Sequence, residues 1–332
     1  MISSRPIKWG ILSTARIGVT AFIPSARATP DAQVHAVASR SQATAEAFAQ
    51  AHDIPVALGS YQALLDHPDI DAIYISLPNL LHAEWTIKAA EASKHIFCEK
   101  PLAVTAAEGR QMVEACRKAD VLLFEAFVFM HHPQSRRLRE IIAAGEIGTL
   151  RHINAGMTYV IDDPSNIRLI KALGGGSIYD GGVYPITFSR FIAGTDPVSV
   201  QAHMRFDAQA GVDVATSLIL EYPDGVTATL YCSFEGRGGA HALVTGDQGR
   251  LVVPSPYHPG AESSFDVVIG SDDSRDETLQ TGTPPFQPAI DFFQQCMRGE
   301  ETPAYMADHA DGTLRVVEAA FESARSGRRV EL

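Results

Sequence analysis

Short apolar runs alternate with helix-like stretches over the first third of the chain. Runs rich in apolar and β-branched residues predict strands at residues 7–12, 33–39, 55–58, 71–77, 95–98 and 121–124. Apolar positions at helical spacing predict helices at residues 16–28, 41–52, 61–65, 80–92 and 105–119. Because strands that alternate with helices form βαβ units, residues 1–124 are predicted to be an α/β domain with a doubly wound parallel sheet.

The pattern changes after residue 124. A helix is predicted at residues 134–144, and longer strands follow at 151–159, 198–206, 215–222, 226–234, 242–245, 250–253 and 265–269. Turn sequences such as Pro223-Asp224-Gly225 separate these strands, which favours an antiparallel sheet. Helices are predicted again at residues 289–297 and 307–325. Residues 125–332 are therefore predicted to form a second domain, and the last helix is free to pack back on the first.

Composition narrows the class of protein. The chain has 332 residues, of which 45% are hydrophobic and 20% charged, and its net charge is −12. These values fit a globular enzyme and argue against nucleic-acid and membrane partners. The four cysteines do not have the spacing of metal ligands, and the sequence offers no further ligand for the adjacent His131 and His132, so no metal site is expected. The scattered cysteines also do not form a disulfide framework, which favours a reducing compartment. Without an apolar stretch approaching the roughly 18–20 residues of a membrane span, a cytoplasmic location is the expectation.

The turn after the first predicted strand is a candidate cofactor site. It reads Ser13-Thr14-Ala15-Arg16-Ile17-Gly18, so only Gly18 matches the fingerprint G-x-G-x-x-G. Small residues still let the backbone approach a pyrophosphate, and the helix N-terminus supplies amide groups. An ordinary strand-to-helix turn is the alternative, but the position after the first strand favours a dinucleotide.

The end of the second predicted strand bears on which dinucleotide is bound. An acidic residue there would bind the ribose 2′-hydroxyl of NAD and repel a 2′-phosphate. This chain instead has Ser39-Arg40-Ser41, a hydroxyl and a guanidinium suited to phosphate. NADP is therefore the predicted cofactor, with NAD possible; the alternative is a solvated turn arginine.

Two further segments follow strands at the same carboxyl edge, where ligands of open α/β sheets bind. The first is Leu77-Pro78-Asn79 with His82, and the second is Glu99-Lys100-Pro101. Asn79 could simply cap a helix, and His82 is more often structural than ligand-binding. Lys100 is either a solvated surface group or a partly buried ammonium that polarises a hydroxyl or carbonyl, with its direction fixed by the following proline.

A glycine run, Gly174-Gly175-Gly176, precedes Asp180 and Tyr184. If residues 177–192 are helical, the two side chains are neighbours on one face. Gly181 and Gly182 each cost such a helix roughly 1 kcal/mol relative to alanine, which suggests that a nicotinamide or a neighbouring strand packs closely there. A glycine-rich loop with a capping Asp and a core Tyr is the alternative.

These motifs together resemble the Gfo/Idh/MocA oxidoreductase family over essentially the whole chain. The segments that carry the resemblance are residues 9–17, Pro78-Asn79 with His82, Glu99-Lys100-Pro101, Glu125-Ala126-Phe127 with His132-Pro133, Asn166-Ile167-Arg168 and residues 174–185. The resemblance implies an N-terminal Rossmann domain and a C-terminal α+β domain, with a large, mostly antiparallel open sheet that binds substrate and buries its free face in a homodimer or homotetramer. It implies that Lys100, Asp180 and Tyr184 are catalytic, and that Arg168 lies near nicotinamide or sugar. It also implies cofactor contacts from Ser13 to Ile17, Ser39-Arg40, Leu77 to Asn79, His82, Glu99 and Lys100.

Tyr184 is similar to the tyrosine of the glucose-fructose oxidoreductase, dihydrodiol dehydrogenase and xylose dehydrogenase branch. The predicted function is therefore hydride transfer between NADP and a sugar or related polyhydroxy substrate, of the aldose dehydrogenase or reductase type. Tyr184 would be the general acid/base, Lys100 would lower its pKa, and Asp180 would orient the sugar. Two alternatives stay open. One is a nucleotide-linked ketosugar reductase, since the pair Phe129-Met130 is similar to that of such reductases, and the other is a non-catalytic NADP-binding sensor.

Overall fold

The computed structural model describes residues 5–270, 273–304 and 306–332, and the chain divides into two compact units. The first unit comprises Met1–Val128 and Thr283–Asp311, and the second comprises Phe129–Gly282 and Gly312–Leu332. The boundary expected after residue 124 lies close to the first of these breaks. The sequence left the last helix free to return to the first domain, but the segment that returns is Thr283–Asp311. Gly312–Leu332, which contains most of the last helix, belongs to the second unit.

The first unit contains a six-stranded sheet in which every pair of neighbours is parallel. Its strands are β1 (Ile7–Leu12), β2 (Ala32–Ala38), β3 (Val56–Leu58), β4 (Ala72–Ile75), β5 (His95–Cys98) and β6 (Leu123–Glu125). The helices between them are α1 (Ile23–Ala28), α2 (Gln42–Ala51), α3 (Tyr61–Leu65), α4 (His82–Glu91) and α5 (Ala106–Lys118). The order β3-β2-β1-β4-β5-β6 is that of a Rossmann fold, which confirms the predicted first domain.

The second unit is built on a nine-stranded sheet of order β14-β13-β12-β11-β7-β10-β9-β8-β15. Its strands are β7 (Leu150–Val160), β8 (Ser199–Phe206), β9 (Asp213–Glu221), β10 (Thr227–Ser233), β11 (Glu235–Gly246), β12 (Gly249–Val253), β13 (Glu262–Ile269), β14 (Asp273–Gln280) and β15 (Val330–Glu331). Its helices include α6 (Pro133–Ala143) and α7 (Val183–Ala193). Within this sheet, only β7 and β10 pair in parallel among the described strands, so the prediction of a mostly antiparallel sheet is confirmed.

Aromatic side chains fill the core of the first unit. The indole of Trp9 packs edge-on to Phe22 and Phe97, with ring centroids 5.3 and 6.1 Å away. Helix α8 (Gln287–Arg298) adds Phe293, 5.8 Å from Trp9, and Gln294, which accepts a hydrogen bond from the Trp9 indole. Burial of these large rings explains why α8 joins the first unit although most of the second unit precedes it in sequence.

Helix α7 is the central helix of the second unit, and residues 183–192 are all buried. The Tyr222 hydroxyl, just after β9, donates to Ser189, and Thr187 contacts Thr313 of helix α9 (Ala310–Ser326). Alternate residues of β9 and β10 point away from this core, and Ile219 and Tyr231 are 52% and 43% exposed. One face of the sheet is therefore open in the single chain.

Candidate active site

The turn after β1 replaces the first glycine of the dinucleotide fingerprint with Ser13. Its φ of 132° lies in the region that normally requires glycine. The Ser13 hydroxyl lies 3.1 Å from the carbonyl oxygen and 3.0 Å from the hydroxyl of Ser76 at the end of β4, and it accepts the amide of Ala15. These hydrogen bonds hold a conformation that the backbone alone would disfavour, so the turn keeps its shape without glycine.

The remaining residues of this turn leave room for a dinucleotide. Thr14 and Ala15 are half-buried, Arg16 and Ile17 are exposed, and nothing lies within 4 Å of a Cβ built on Gly18. Gly10 is required for packing instead, since a Cβ at this position would lie 2.9 Å from the side chain of Leu64. The helix that follows begins with a π-helical turn, Gly18–Phe22, and continues as α1. Its first amides point out of the helix, where a pyrophosphate would bind.

The end of β2 fits a phosphate rather than a ribose hydroxyl. Ser39 is buried and its amide donates to Leu58, whereas Arg40 is exposed. No acidic side chain in the described part of the chain forms an ion pair with Arg40, so its charge is available to an anion. Ser41 is the N-cap of α2, and its side chain accepts a hydrogen bond from the amide of Thr44.

The segment after β4 is joined to the segment after β5 by His82. Its side chain is completely buried, and its two ring nitrogens each lie 2.8 Å from a carbonyl oxygen, those of Leu77 and Pro101. Burial lowers the pKa of His82, which favours the neutral ring. Since both nitrogens face the backbone, His82 shapes the strand ends, while Pro78 and Asn79 lie half-buried beside it.

Glu99 and Glu125, the carboxylates at the ends of β5 and β6, are both buried. The Tyr74 hydroxyl donates to Glu99 over 2.6 Å, and the amide of Leu102 donates to Glu125 over 2.7 Å. The Lys100–Pro101 peptide bond is cis, and Lys100 itself is half-buried. The Glu99 side chain therefore has a structural partner within the first unit, and Lys100 is the candidate of this segment for contact with a ligand.

In the second unit, Asp213 fixes the segment that leads to the predicted catalytic helix. It lies at the start of β9 and is 1% exposed. Its Oδ2 accepts hydrogen bonds from the Ser177 hydroxyl (2.5 Å), the Ile178 amide (2.8 Å) and the Thr216 hydroxyl (2.9 Å). Gly176 has a φ of 135° and passes so close to Asp213 that a side chain would collide with the carboxylate. Burial raises the pKa of Asp213.

The predicted helix over residues 177–192 begins with a π-helical turn, Ile178–Gly182, and continues as α7. A Cβ on Gly182 would lie 2.9 Å from the Cys232 sulfur of β10, so a neighbouring strand accounts for this glycine. Hydrogen bonds of a π turn skip one residue more than those of an α-helix, so the expected α-helical spacing of Asp180 and Tyr184 does not hold.

Asp180 and Tyr184 have different partners. Asp180 accepts a hydrogen bond from the Tyr159 hydroxyl of β7 and forms an ion pair with Arg168, whose Nε lies 2.9 Å from Oδ2. The nearby Asp180 charge raises the pKa of Arg168, and burial raises that of Tyr159. The structure thus brings Arg168, Asp180 and Tyr159 together, a set of contacts that was not predicted from the sequence.

Tyr184 lies at the start of α7 and is 8% exposed. Its hydroxyl is 3.0 Å from Nε2 of His258, and its ring stacks on Tyr257 with centroids 5.4 Å apart. Neither partner was predicted, because both lie more than seventy residues away in a loop without a recognisable motif. Asp213 and Tyr159 were missed because they lie in strands β9 and β7, where nothing in the local sequence marks a site residue. The described residues contain no cluster of His, Cys, Asp and Glu that could hold a metal ion, and none of their helices is long and apolar enough to cross a membrane.

Two family profiles match the chain. Residues 7–127 match the GFO/IDH/MocA oxidoreductase family with its NAD-binding Rossmann fold, and residues 135–252 match the GFO/IDH/MocA C-terminal domain. D-xylose 1-dehydrogenase (NADP(+)) 2 of Haloferax volcanii is 34% identical over 98% of this chain and 99% of its own length.

Solved structures agree with this relationship. A 3-ketoreductase from Actinomadura kijaniata in complex with NADP and TDP-benzene has a TM-score of 0.89 at 30% identity, over 96% of this chain and 98% of its own. An aldose-aldose oxidoreductase from Caulobacter crescentus, complexed with glycerol, has a TM-score of 0.91 at 26% identity, over 99% and 100%. The predicted resemblance is confirmed, and the chain belongs to the GFO/IDH/MocA oxidoreductase family.

Proposed function

We propose that this protein is an NADP-dependent oxidoreductase that transfers a hydride between nicotinamide and a free sugar of the aldose or polyol class. The observation that carries the proposal is the setting of Tyr184. Its ring is held by stacking on Tyr257 and its hydroxyl is hydrogen-bonded to a group that can exchange a proton. The NADP-linked xylose dehydrogenase and the aldose-aldose oxidoreductase support the predicted class of reaction.

The choice of NADP agrees with the strand end after β2. Arg40 is exposed there, and its guanidinium suits a 2′-phosphate. Ser13 and the amides that follow it would hold the pyrophosphate at the helix start. When bound, NADP⁺ accepts a hydride at its nicotinamide ring and NADPH returns it.

The side chains have separate roles in the proposal. Tyr184 is the general acid/base for the reacting hydroxyl, a role that typically contributes roughly 10²–10⁴-fold to the rate. Lys100 is the cation of the proposal, and its positive charge would stabilise a developing oxyanion. Asp180 and Arg168 hold each other by the 2.9 Å ion pair, and together they present acceptor and donor groups to sugar hydroxyls.

The Arg168–Asp180 pair supports a free sugar over a nucleotide-linked one. The Arg168 charge is balanced by Asp180, so this side chain would attract a diphosphate less strongly than an unpaired arginine would. Phe129, which resembled the ketosugar reductases, is 1% exposed and packs on Phe188 and Phe191, so it belongs to the core of the second unit. Its identity therefore carries no weight for substrate choice.

The test is nicotinamide absorbance with NADP⁺ across a panel of aldoses, polyols and dTDP-linked sugars. Reduction of NADP⁺ by a free sugar is expected, with kcat lowered about 10²-fold or more in Tyr184→Phe and in Lys100→Met. NADPH binding should change little in Tyr184→Phe. Turnover confined to dTDP-linked sugars would overturn the substrate class. Wild-type kcat in Tyr184→Phe would overturn the assigned acid/base. NADPH binding without turnover of any kind would favour a sensor.

The open face of the nine-stranded sheet supports a homodimer or homotetramer. Ile219 and Tyr231 are large apolar side chains at central positions of this face, and both are exposed in the single chain. Contiguous apolar surface of this kind commonly marks an interface. Light scattering should find an oligomer that Ile219→Asp dissociates, and a monomeric wild type would contradict the proposal.

A cytoplasmic location completes the proposal. All four cysteines are free and buried, which suits a reducing compartment. Burial raises the pKa of Cys116 to about 12 and that of Cys296 to about 11, so these thiols stay protonated and unreactive.

A further inference from the structure

Tyr184 lies within hydrogen-bond distance of a surface side chain, His258. The tyrosine is 8% exposed, whereas the histidine is exposed. The two meet at 3.0 Å between the hydroxyl oxygen and Nε2, and their rings lie edge to face with centroids 4.9 Å apart. An exposed imidazole that is hydrogen-bonded to a buried hydroxyl can carry protons between that hydroxyl and water.

The loop that carries His258 is held in place at several points. Pro254, Pro256 and Pro259 restrict its backbone. The carbonyl of Ser255 accepts the side-chain amide of Gln134 over 2.9 Å, and the Ser255 hydroxyl donates to the carbonyl of His258 over 3.0 Å.

Tyr257, the neighbour of His258 in sequence, anchors the same loop in the core. It is completely buried, packs edge-on to Phe188 at 5.9 Å and stacks on Tyr184. The position of the imidazole relative to the phenol is therefore set by the fold and does not depend on the His258 side chain.

We propose that His258 is a proton relay between Tyr184 and solvent. The proposal rests on the proposed role of Tyr184 as acid/base and adds a route by which that residue is reset in each turnover. His258 touches neither substrate nor cofactor in this scheme and acts through Tyr184 alone.

The proton balance is complete without a further reactant. In sugar oxidation the substrate C–H bond breaks and its electron pair leaves as hydride to nicotinamide. The substrate O–H proton passes to the Tyr184 oxygen as the phenolic proton of Tyr184 passes to Nε2 of His258. The imidazole then releases one proton from its other nitrogen to water. In the reductive direction each proton runs the opposite way, from water through His258 and Tyr184 to the carbonyl oxygen.

A purely structural role for His258 makes a different prediction, and two variants separate the two roles. Glutamine at this position can still hydrogen-bond to Tyr184 but cannot carry a proton. Alanine leaves a space at the surface that added imidazole can enter. His52→Gln is the matched control, since His52 is a half-buried histidine at the end of α2 in the first unit.

We expect kcat to fall about tenfold or more in both His258→Gln and His258→Ala, with the KM for sugar and for NADP⁺ little changed. Imidazole should restore kcat in His258→Ala and leave His258→Gln and His52→Gln unaffected. Wild-type kcat in His258→Gln, combined with a large loss in Tyr184→Phe, would overturn the relay while the proposed function stands.

A second measurement tests the hydrogen bond on which the relay depends, even if no sugar in the panel is turned over. The ring Cε1 proton of His258 is followed by NMR as a function of pH, with His258→Gln identifying the signal. Loss of the hydrogen bond in Tyr184→Phe should shift the titration midpoint of His258. Coincident titration curves in the wild type and Tyr184→Phe would overturn the proposal.

Discussion

Replacement of Asp213 is predicted to destabilise the second unit strongly. The carboxylate is 1% exposed and accepts three hydrogen bonds, from Ser177, Ile178 and Thr216. In Asp213→Ala these three donors lose their acceptor while they stay buried. Each unsatisfied donor costs roughly 1–3 kcal/mol, and the lost desolvation penalty of the carboxylate offsets part of the sum. A decrease of about 3–5 kcal/mol in the free energy of unfolding is therefore expected.

Asp213→Asn refines this prediction, because the amide keeps one oxygen and the shape of the side chain. Its carbonyl oxygen can still accept the Ile178 amide, so we expect a smaller loss of about 1–2 kcal/mol. Activity should fall in both variants, since Asp213 holds the start of the π-helical turn that contains Asp180. Asp207→Ala is the matched control, because Asp207 also accepts backbone amides (those of Gln209 and Ala210) but at the surface.

The assay is urea unfolding followed by far-UV circular dichroism, with tryptophan fluorescence recorded in parallel. Both tryptophans of the chain, Trp9 and Trp85, lie in the first unit, so the fluorescence reports on that unit. The circular-dichroism transition of Asp213→Ala should move to lower urea concentration by far more than that of Asp207→Ala. Equal shifts in these two variants would refute the reasoning from buried hydrogen bonds.

Three further predictions follow from single side chains. Ser13→Ala keeps the strained φ and loses the hydrogen bonds, so a loss of about 1–3 kcal/mol in the free energy of unfolding is expected. Ser13→Gly should be near neutral, because relief of the strain offsets the lost bonds. Equal melting temperatures of the two variants would contradict this reasoning. Arg40→Ala should weaken NADPH binding about tenfold or more and leave NADH binding nearly unchanged, as calorimetry can measure, and equal losses for both cofactors would argue against a 2′-phosphate site. Burial lowers the pKa of His131 to about 4, below its unfolded value, so its contribution to stability is present above the unfolded pKa and is lost as pH falls toward 4. Burial also lowers the pKa of His82, His95 and His132, so the wild type loses more than this one contribution. Between pH 7 and pH 5 the free energy of unfolding should fall by roughly 2 kcal/mol less in His131→Gln than in the wild type, and equal falls would contradict the reasoning.

The sequence predicts the first unit well because its signals are local. The run at β4 is continuous, apolar and buried, as a strand covered on both faces must be. Ser41 and Thr105 cap the helices where the pattern places them. Strand β14 was missed because it is an edge strand whose side chains are almost all exposed, so it lacks alternation.

The candidate site was predicted only in part, for a physical reason. Asp180, Tyr184 and Arg168 belong to segments with unusual local sequence, rich in glycine and turn residues, and could be recognised. Their partners Asp213 and His258 lie on other segments, and their importance comes from burial and contact, which no local pattern records. The π-helical turn at Ile178–Gly182 was likewise invisible, because it depends on how the helix packs on β10.

The most direct test of hydride transfer is to follow the hydrogen itself. The aldose that gives turnover is supplied with deuterium at its reacting carbon, together with NADP⁺, and the reduced cofactor is isolated and analysed by mass spectrometry and proton NMR. The account predicts deuterium at C4 of the nicotinamide ring and a primary isotope effect on a single turnover. Tyr184→Phe should form the deuterated cofactor much more slowly than the wild type. Reduced cofactor that contains no deuterium, or sugar converted without reduction of NADP⁺, would contradict the central claim.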